Sequence, residues 1–215
     1  MHSIASVALS ALALSSALPT SQPLDAAAVL QRSQNAWQGL NSYQVPVTIA
    51  GSVRVSFISL PVHMTGTQYY QAPDQQALHI DNPPRLASGL GDTLSTMGTP
   101  QTWLRDYSIA MPVAQPHGHH GAYMLVGTPK RSGHVKTMSM WVSATTYVVE
   151  SIAFSYTNGA TLKVTFFHEH GISQYHLPRK ATVVAHFPSY TGTATITYGD
   201  YTINQPLPAA AFSEH

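Results

Sequence analysis

Residues 152–166 read IAFSYTNGATLKVTF, in which two runs of alternating apolar and polar residues flank Thr157-Asn158-Gly159. Asn and Gly tolerate positive φ, so this tripeptide predicts a tight turn between two antiparallel strands. Side chains two residues apart share one face of a strand, so each strand has one apolar face. These faces consist of Ile152, Phe154 and Tyr156 on the first strand and Leu162, Val164 and Phe166 on the second.

Runs rich in Val, Ile, Thr, Phe and Tyr repeat this pattern along most of the chain. Gly51 is predicted to form the first turn, and Pro83 with Pro84 ends the fourth strand. About ten consecutive strands with short turns imply a large antiparallel sheet, which curls because its strands twist. The predicted strands are residues 43–49, 52–60, 62–71, 75–80, 107–113, 121–127, 134–143, 147–156, 160–168, 177–187 and 191–201.

One amphipathic helix is predicted before the sheet, over residues 24–40, where apolar residues recur at helical spacing. Asp25 suits the positive end of the helix dipole, and Gly39 with Asn41 supplies the stop. Between residues 85 and 103 the periodic pattern is lost among Gly, Ser, Thr and Leu. That segment is predicted to be a short helix or a mobile loop.

The first residues have the pattern of a signal peptide. An uncharged Ala/Leu/Ser/Val run covers residues 4–18, which is too short to span a membrane, and the first Lys or Arg is Arg32. Cleavage is predicted after Ala17 or a few residues later, before Pro23. We therefore predict a signal peptide at residues 1–22, a single domain at residues 23–215 and export to the periplasm or the extracellular space.

Composition excludes several classes of function. Ten Lys plus Arg against nine Asp plus Glu provide no basic surface for nucleic acid. The absence of cysteine excludes disulfides, thiolate metal sites and a Cys nucleophile. No nucleophile elbow, phosphate-binding loop or dinucleotide fingerprint occurs in the sequence. We therefore predict a soluble monomer that is not an enzyme and uses no cofactor.

A curled sheet of this size encloses more volume than one helix and a loop can fill, so either a cavity remains or the sheet closes on itself. A remaining cavity would be apolar, and unbranched methionines suit surfaces that repack around apolar ligands. For any single methionine an ordinary core position is the better interpretation, and only the architecture favours a ligand cavity. Strand alternation indicates the cavity-lining candidates Phe57, Tyr69, Met124, Met138, Met140, Phe154 and Val164.

Several short segments carry a family resemblance: LD (24–25), WQGLNSY (37–43), YYQAPD (69–74), MWV (140–142), the hairpin 152–166, YGDYTIN (198–204) and PLPAAAF (206–212). In these segments the chain resembles the LolA-like superfamily of periplasmic lipoprotein carriers and lipid-binding proteins. The resemblance implies an incomplete antiparallel β-barrel whose open side is covered by helices, so that residues 85–103 become a candidate lid. It also implies a hydrophobic cavity for the acyl chains of a lipid or lipoprotein, and transient contact with a membrane.

One position departs from the pattern of this superfamily. The lipoprotein carrier has an arginine immediately before the proline of the third segment, where it helps to lock the lid. Ala72 stands at the matching position here, beside Pro73. The departure bears on lipoprotein transfer but leaves an apolar cavity possible, because burial of a lipid needs apolar area rather than one charge.

Histidines offer a competing interpretation. His117, His119 and His120 form a local cluster, and imidazole is a common ligand of zinc, copper and nickel. No carboxylate or Cys accompanies them, and a closed zinc site normally needs four ligands. His168 and His170 would share a face of a strand, but they supply only two ligands.

Three hypotheses for function follow. The first is an exported carrier that binds lipid or lipoprotein acyl chains in its cavity, as in outer-membrane lipoprotein sorting. The second is an envelope sensor that uses the same fold to bind a partner protein, as regulatory relatives in the superfamily do. The third, and least favoured, is metal binding through the loop that contains His117.

Overall fold

The computed structural model describes residues 24–81, 99–112, 121–168 and 174–212. The predicted signal peptide, most of the candidate lid 85–103 and the cluster of His117, His119 and His120 lie outside the described residues, and the predictions made for them stay predictions.

Two helices are described. Helix α1 (Ala26–Asn35) is capped by Asp25, whose side-chain oxygen accepts a hydrogen bond from the Ala28 backbone N–H at 2.7 Å. Helix α2 (Pro100–Asp106) follows Thr99, whose backbone N–H donates to the Thr102 hydroxyl at 3.0 Å. α1 lies within the predicted helix, and α2 overlaps the end of the candidate lid. Neither described helix combines the length and the apolar character that crossing a bilayer would require.

The strands form one antiparallel sheet in the order β3-β2-β1-β10-β9-β8-β7-β6-β5-β4, with β11 beside β1. β3 and β4 lie at its two edges and are not paired with each other in the described chain, so the barrel is open. The predicted fold class is confirmed. The strands are β1 (Ser42–Val55), β2 (Ile58–Gln71), β3 (Gln75–Ile80), β4 (Tyr107–Ala110), β5 (Ala122–Pro129), β6 (Val135–Ser143), β7 (Val149–Tyr156), β8 (Thr161–Phe167), β9 (Lys180–Phe187), β10 (Tyr190–Tyr198) and β11 (Thr202–Ile203).

The first hairpin differs from its prediction. β1 and β2 pair along their full fourteen residues, and the turn lies at Ser56 and Phe57 rather than at Gly51. Gly51 is in the middle of β1, where a Cβ would lie 2.1 Å from the backbone oxygen of Thr193 in β10. The glycine therefore permits close approach of two strands, a role that sequence alone does not distinguish from a turn.

The core lies between the concave face of the sheet and the two helices. Val29 and Leu30 of α1 are fully buried, and α1 contacts both α2 and the edge strand β4. At the polar side of α1 the Arg32 guanidinium donates to the Tyr147 hydroxyl and lies 4.9 Å from the centre of that ring. The helix is thus attached to the connection between β6 and β7 by both apolar and polar contacts.

The crowding at Gly51 can be tested directly. We expect Gly51→Ala to lower the free energy of unfolding by about 3 kcal/mol, because the added methyl group overlaps a backbone oxygen that cannot move without breaking the sheet. Urea denaturation measures this. Gly133→Ala is the matched control, since nothing lies within 4 Å of a Cβ there, and it is expected to stay within about 0.5 kcal/mol. Equal losses at the two positions would contradict the assignment.

Candidate functional site

An interior cavity lies between α1, α2 and the concave face of the sheet. Its volume is about 120 Å³. Ser33 of α1, Trp37 just after α1 and Trp103 of α2 cover it from the helical side. The remaining lining comes from the sheet and the segments next to it: Tyr43, Val47, Gln68, Gln76, Ala77, Leu78, Val148, Val149, Ile152, Val164, Phe166, His168, His176, Leu177, Pro178, Ile196, Tyr198 and Tyr201.

The lining has a uniform chemical character. Among the described residues it includes no Asp, Glu, Lys or Arg, and its polar groups are hydroxyls, amides, two indole N–H groups and two imidazoles. An ion placed there would lose its hydration without gaining a counter-charge, which is costly in a low-dielectric interior. The cavity therefore suits an apolar ligand with few, uncharged polar groups.

A cluster of aromatic rings forms one wall of this cavity; Trp37, Tyr43, Tyr198 and Tyr201 line it, whereas Tyr70 contacts them from outside the lining. Tyr43 is stacked on Tyr70 with ring centroids 5.3 Å apart, and Trp37 meets Tyr70 edge-on at 5.2 Å. Tyr201 meets Tyr43 edge-on at 5.4 Å and is stacked on Tyr198 at 6.2 Å. Such pairs restrict the rotation of each ring and add to the stability gained by burial. The wall is consequently a fixed surface built from β1, β2, β10 and the segments next to α1 and β11.

Burial alters the acidity of these phenols. It raises the pKa of Tyr43, Tyr198 and Tyr201 well above the ordinary tyrosine value, because the charged phenolate would lose its hydration. Burial, with a smaller contribution from the negative charge of Asp74, raises the pKa of Tyr70 to about 12. All four hydroxyls therefore keep their protons, and with them the capacity to donate hydrogen bonds, throughout the physiological range of pH.

His168 joins two segments at the rim of the cavity. Its Nδ1 lies 2.6 Å from the backbone oxygen of His176, and its Nε2 lies 3.0 Å from the backbone oxygen of Val149. The side chain connects the end of β8 to the start of β7 and to residues 176–178, which are all part of the cavity wall.

A second recess, of about 430 Å³ and more open to solvent, adjoins this rim. It shares Val148, Phe166, His168 and His176 with the interior cavity. Glu150 and the hydroxyls of Ser143, Thr145, Thr146 and Thr165 make it the more polar of the two. The apolar cavity thus opens toward a polar neighbourhood on the side of His168.

Helix α2 is connected to the sheet at the opposite side. Arg105 bonds to Asp74 in the turn between β2 and β3 at 2.7 Å, and also to Asp106 at 2.9 Å. Ala72, the residue that departs from the superfamily pattern, is half-buried two positions before Asp74, and its backbone N–H donates to Asn41. The ion pair that connects α2 to this turn therefore has its arginine on the helix and its carboxylate on the turn.

The predicted lining residues separate into three groups. Val164 lines the cavity. Met138, Met140 and Phe154 are buried in the core on the concave face but do not line the cavity. Tyr69, Met124 and Phe57 lie elsewhere and are not lining residues.

These last three positions have clear physical reasons. Tyr69 alternates with buried Tyr70 on β2 and contacts His79 on the convex face at 5.2 Å. Met124 pairs with Trp141, whereas its neighbour Leu125 occupies the concave face. Phe57 is 89% exposed, because the turn that was expected at Gly51 lies at Ser56 and Phe57.

Sequence reasoning missed most of the aromatic wall. Tyr198 follows Ile196 at strand spacing, so strand alternation was a usable signal for it. Trp37 continues the apolar stripe of α1, so the helical period was a usable signal for that residue. No local signal marks His168 or His176 as parts of a rim. No group of three or more His, Asp or Glu residues able to hold a metal occurs among the described residues, which do not include His117, His119 and His120.

No protein-family model matches this sequence, and no curated protein sequence matches it. Solved structures do match. A DUF1329 family protein from Desulfovibrio piger is 12% identical, with 87% of this chain and 96% of that chain covered, at a TM-score of 0.62. A LolA superfamily protein from Nitrosomonas europaea is 13% identical, with coverages of 89% and 98% and a TM-score of 0.58.

A domain from Vibrio parahaemolyticus that is named for outer membrane lipoprotein sorting is 11% identical, with 86% of this chain and 94% of that chain covered, at a TM-score of 0.60. At such identities the likeness establishes the fold. The chain has the open barrel of LolA superfamily proteins over nearly all of its described length, which is the fold that the short sequence motifs implied.

The buried phenols predict a loss of stability in alkali. A tyrosine whose pKa is higher in the folded state stabilises the fold fully below the unfolded value of about 10, and this contribution is lost as the pH rises further. For Tyr70, with a folded pKa of about 12, the loss amounts to about 2 to 3 kcal/mol between those two values of pH. Urea denaturation across this range, with tyrosinate absorbance followed in parallel, measures it.

The matched variant for this measurement is Tyr70→Phe, which keeps the ring and removes the titrating group. Its free energy of unfolding is expected to fall less steeply with pH than that of the parent. Identical alkaline profiles for the two proteins would contradict the role given to Tyr70.

Proposed function

We propose that this protein is an exported carrier that binds the acyl chain of a lipid or lipoprotein in the cavity beneath α1 and α2. The observation that carries the proposal is the uncharged, largely apolar interior cavity with its aromatic wall. The fold that the chain shares with a domain named for lipoprotein sorting supports it, as does the signal-peptide pattern of residues 1–22. The proposed role is binding and release, with no chemical step.

The size of the cavity limits what it holds in this state. Its volume of about 120 Å³ lies below the range of about 300 to 1,000 Å³ that is typical of small-molecule pockets. Each CH₂ group removed from water contributes about 0.8 kcal/mol before the cost of ordering the chain. In this state the cavity therefore accommodates part of one acyl chain, and a complete chain or a ligand with several chains requires α2 to move.

The exposed tip of the β1–β2 hairpin supports contact with a membrane. Phe57 is 89% exposed, Ile58 51% and Val55 40%, although large apolar side chains are usually more protected. Arg54 is exposed beside them, and no Asp or Glu lies within residues 51–62. A protruding apolar tip with one cation suits the interface of an anionic bilayer, from which a carrier would collect or to which it would deliver a chain.

Filling the cavity tests the binding proposal. We expect Val164→Phe to weaken binding of the neutral probe N-phenylnaphthylamine at least about tenfold, because the larger side chain occupies space that the probe needs. Val184→Phe is the control, since Val184 is 37% exposed and outside the cavity lining. Fluorescence titration measures affinity, and thermal melting verifies that both variants fold.

The same experiment includes native mass spectrometry of the parent protein purified from its own envelope. A co-purified amphiphile that is lost in Val164→Phe supports the carrier. Absence of both probe binding and any bound amphiphile would overturn it. Crosslinking in intact cells that recovers one envelope protein, and no lipid, would favour the sensor hypothesis instead.

Contact with a membrane has its own test. The double variant Phe57→Ser and Ile58→Ser is expected to reduce co-flotation with phosphatidylglycerol-containing vesicles at least about tenfold, because the burial of each large apolar side chain contributes about 1.5 to 3 kcal/mol. Val184→Ser, which alters an exposed apolar residue away from the tip, is expected to float like the parent. Equal flotation of all three proteins would remove the tip from the proposal.

A further inference from the structure

Two phenols of the aromatic wall have hydrogen-bonding capacity that the described protein does not use. Tyr198 lines the cavity with a relative exposure of 8%, and its hydroxyl makes no hydrogen bond within the described residues. The Tyr43 hydroxyl accepts a hydrogen bond from the Gln68 amide at 3.1 Å, which leaves its own proton free to donate. Tyr201 differs, since its hydroxyl donates to the backbone oxygen of Pro178 at 2.7 Å.

The two phenols belong to one small region. Tyr201 contacts both rings, at 5.4 Å from Tyr43 and 6.2 Å from Tyr198 between ring centroids. A negative charge on Tyr198 would raise the pKa of Tyr43, in addition to the larger effect of burial. Both groups are therefore protonated donors at one end of a cavity whose other walls are mainly aliphatic.

The chemistry of the lining selects among polar groups that could meet these donors. A carboxylate or phosphate would find no Lys or Arg among the described lining residues, and an ammonium group would find no Asp or Glu. An uncharged carbonyl oxygen has two lone pairs, and it is satisfied by two neutral O–H donors. A ligand that supplies an acceptor to a hydroxyl facing the cavity is preferred over one that leaves this hydroxyl unpaired.

We infer that Tyr43 and Tyr198 recognise the carbonyl oxygen of an acyl ester or amide, so that the cavity selects esterified or amidated chains over free fatty acids. This inference rests on the proposed function and specifies the ligand class of the same cavity. The aliphatic walls hold the chain, and the phenols hold its linkage group. The apolar burial supplies most of the affinity, whereas the two hydrogen bonds supply discrimination.

The test compares methyl octanoate, nonane and octanoate as competitors of N-phenylnaphthylamine at neutral pH. For the double variant Tyr43→Phe with Tyr198→Phe we expect the affinity for methyl octanoate to fall about tenfold while that for nonane is unchanged. The parent is expected to bind octanoate at least about tenfold more weakly than its methyl ester, because the carboxylate enters the cavity unpaired. Tyr70→Phe is the matched control, since Tyr70 belongs to the same aromatic cluster but does not line the cavity.

A second readout is independent of affinity. The infrared carbonyl stretch of bound methyl octanoate is expected at lower frequency in the parent and in Tyr70→Phe than in the single variant Tyr198→Phe, because a hydrogen bond weakens the C=O bond. Thermal melting verifies that each Phe variant folds.

The outcomes distinguish a failure of this inference from a failure of the carrier function on which it rests. Unchanged ester affinity and carbonyl frequency in the Phe variants, or octanoate bound as tightly as its ester, would overturn carbonyl recognition and leave the apolar cavity intact. Failure of the parent to bind the probe and all three competitors would overturn the carrier proposal and this inference together.

Discussion

The packing of α1 across the concave face of an open sheet is the constraint on which the rest of the structure depends. A twisted sheet with two unpaired edges curls without closing, and its inner face needs a cover. Val29 and Leu30 supply the apolar contact, and Arg32 reaches Tyr147 beyond the core. Because one ten-residue helix cannot fill the whole hollow, the space next to it becomes the cavity.

The chemistry of the cavity follows from where its walls originate. Strand residues such as Ile152 and Val164 contribute aliphatic surface, and the tyrosines are concentrated where β1, β10 and β11 meet the end of α1. This asymmetry provides an aliphatic region and a region of neutral donors within one small space. At the other side, the His168 imidazole contacts the backbone of His176 at the rim of the cavity. The more polar recess that contains Glu150 adjoins this rim and lies outside the apolar interior.

Much of the architecture was predictable from local patterns, while much of the site was not. The hairpin 152–166 has the predicted turn and faces, since Ile152, Phe154, Leu162 and Val164 are all buried. The prediction of a turn at Gly51 was wrong, because sequence alone does not distinguish a glycine required by the close approach of β10 from a glycine that forms a turn. The resulting shift of the turn moved Phe57 from an expected wall position to an exposed tip.

The sequence by itself determined the alternation of apolar residues, the amphipathic helix and the turn at Asn158 and Gly159, because these depend on residues close together in the chain. Only the tertiary structure decided which concave-face residues border empty space and which fill the core, as the difference between Val164 and Met138 illustrates. It also brought Tyr43 next to Tyr201, across more than 150 positions of sequence. The physical reason is that a cavity is the volume left between elements, and no single element encodes that volume.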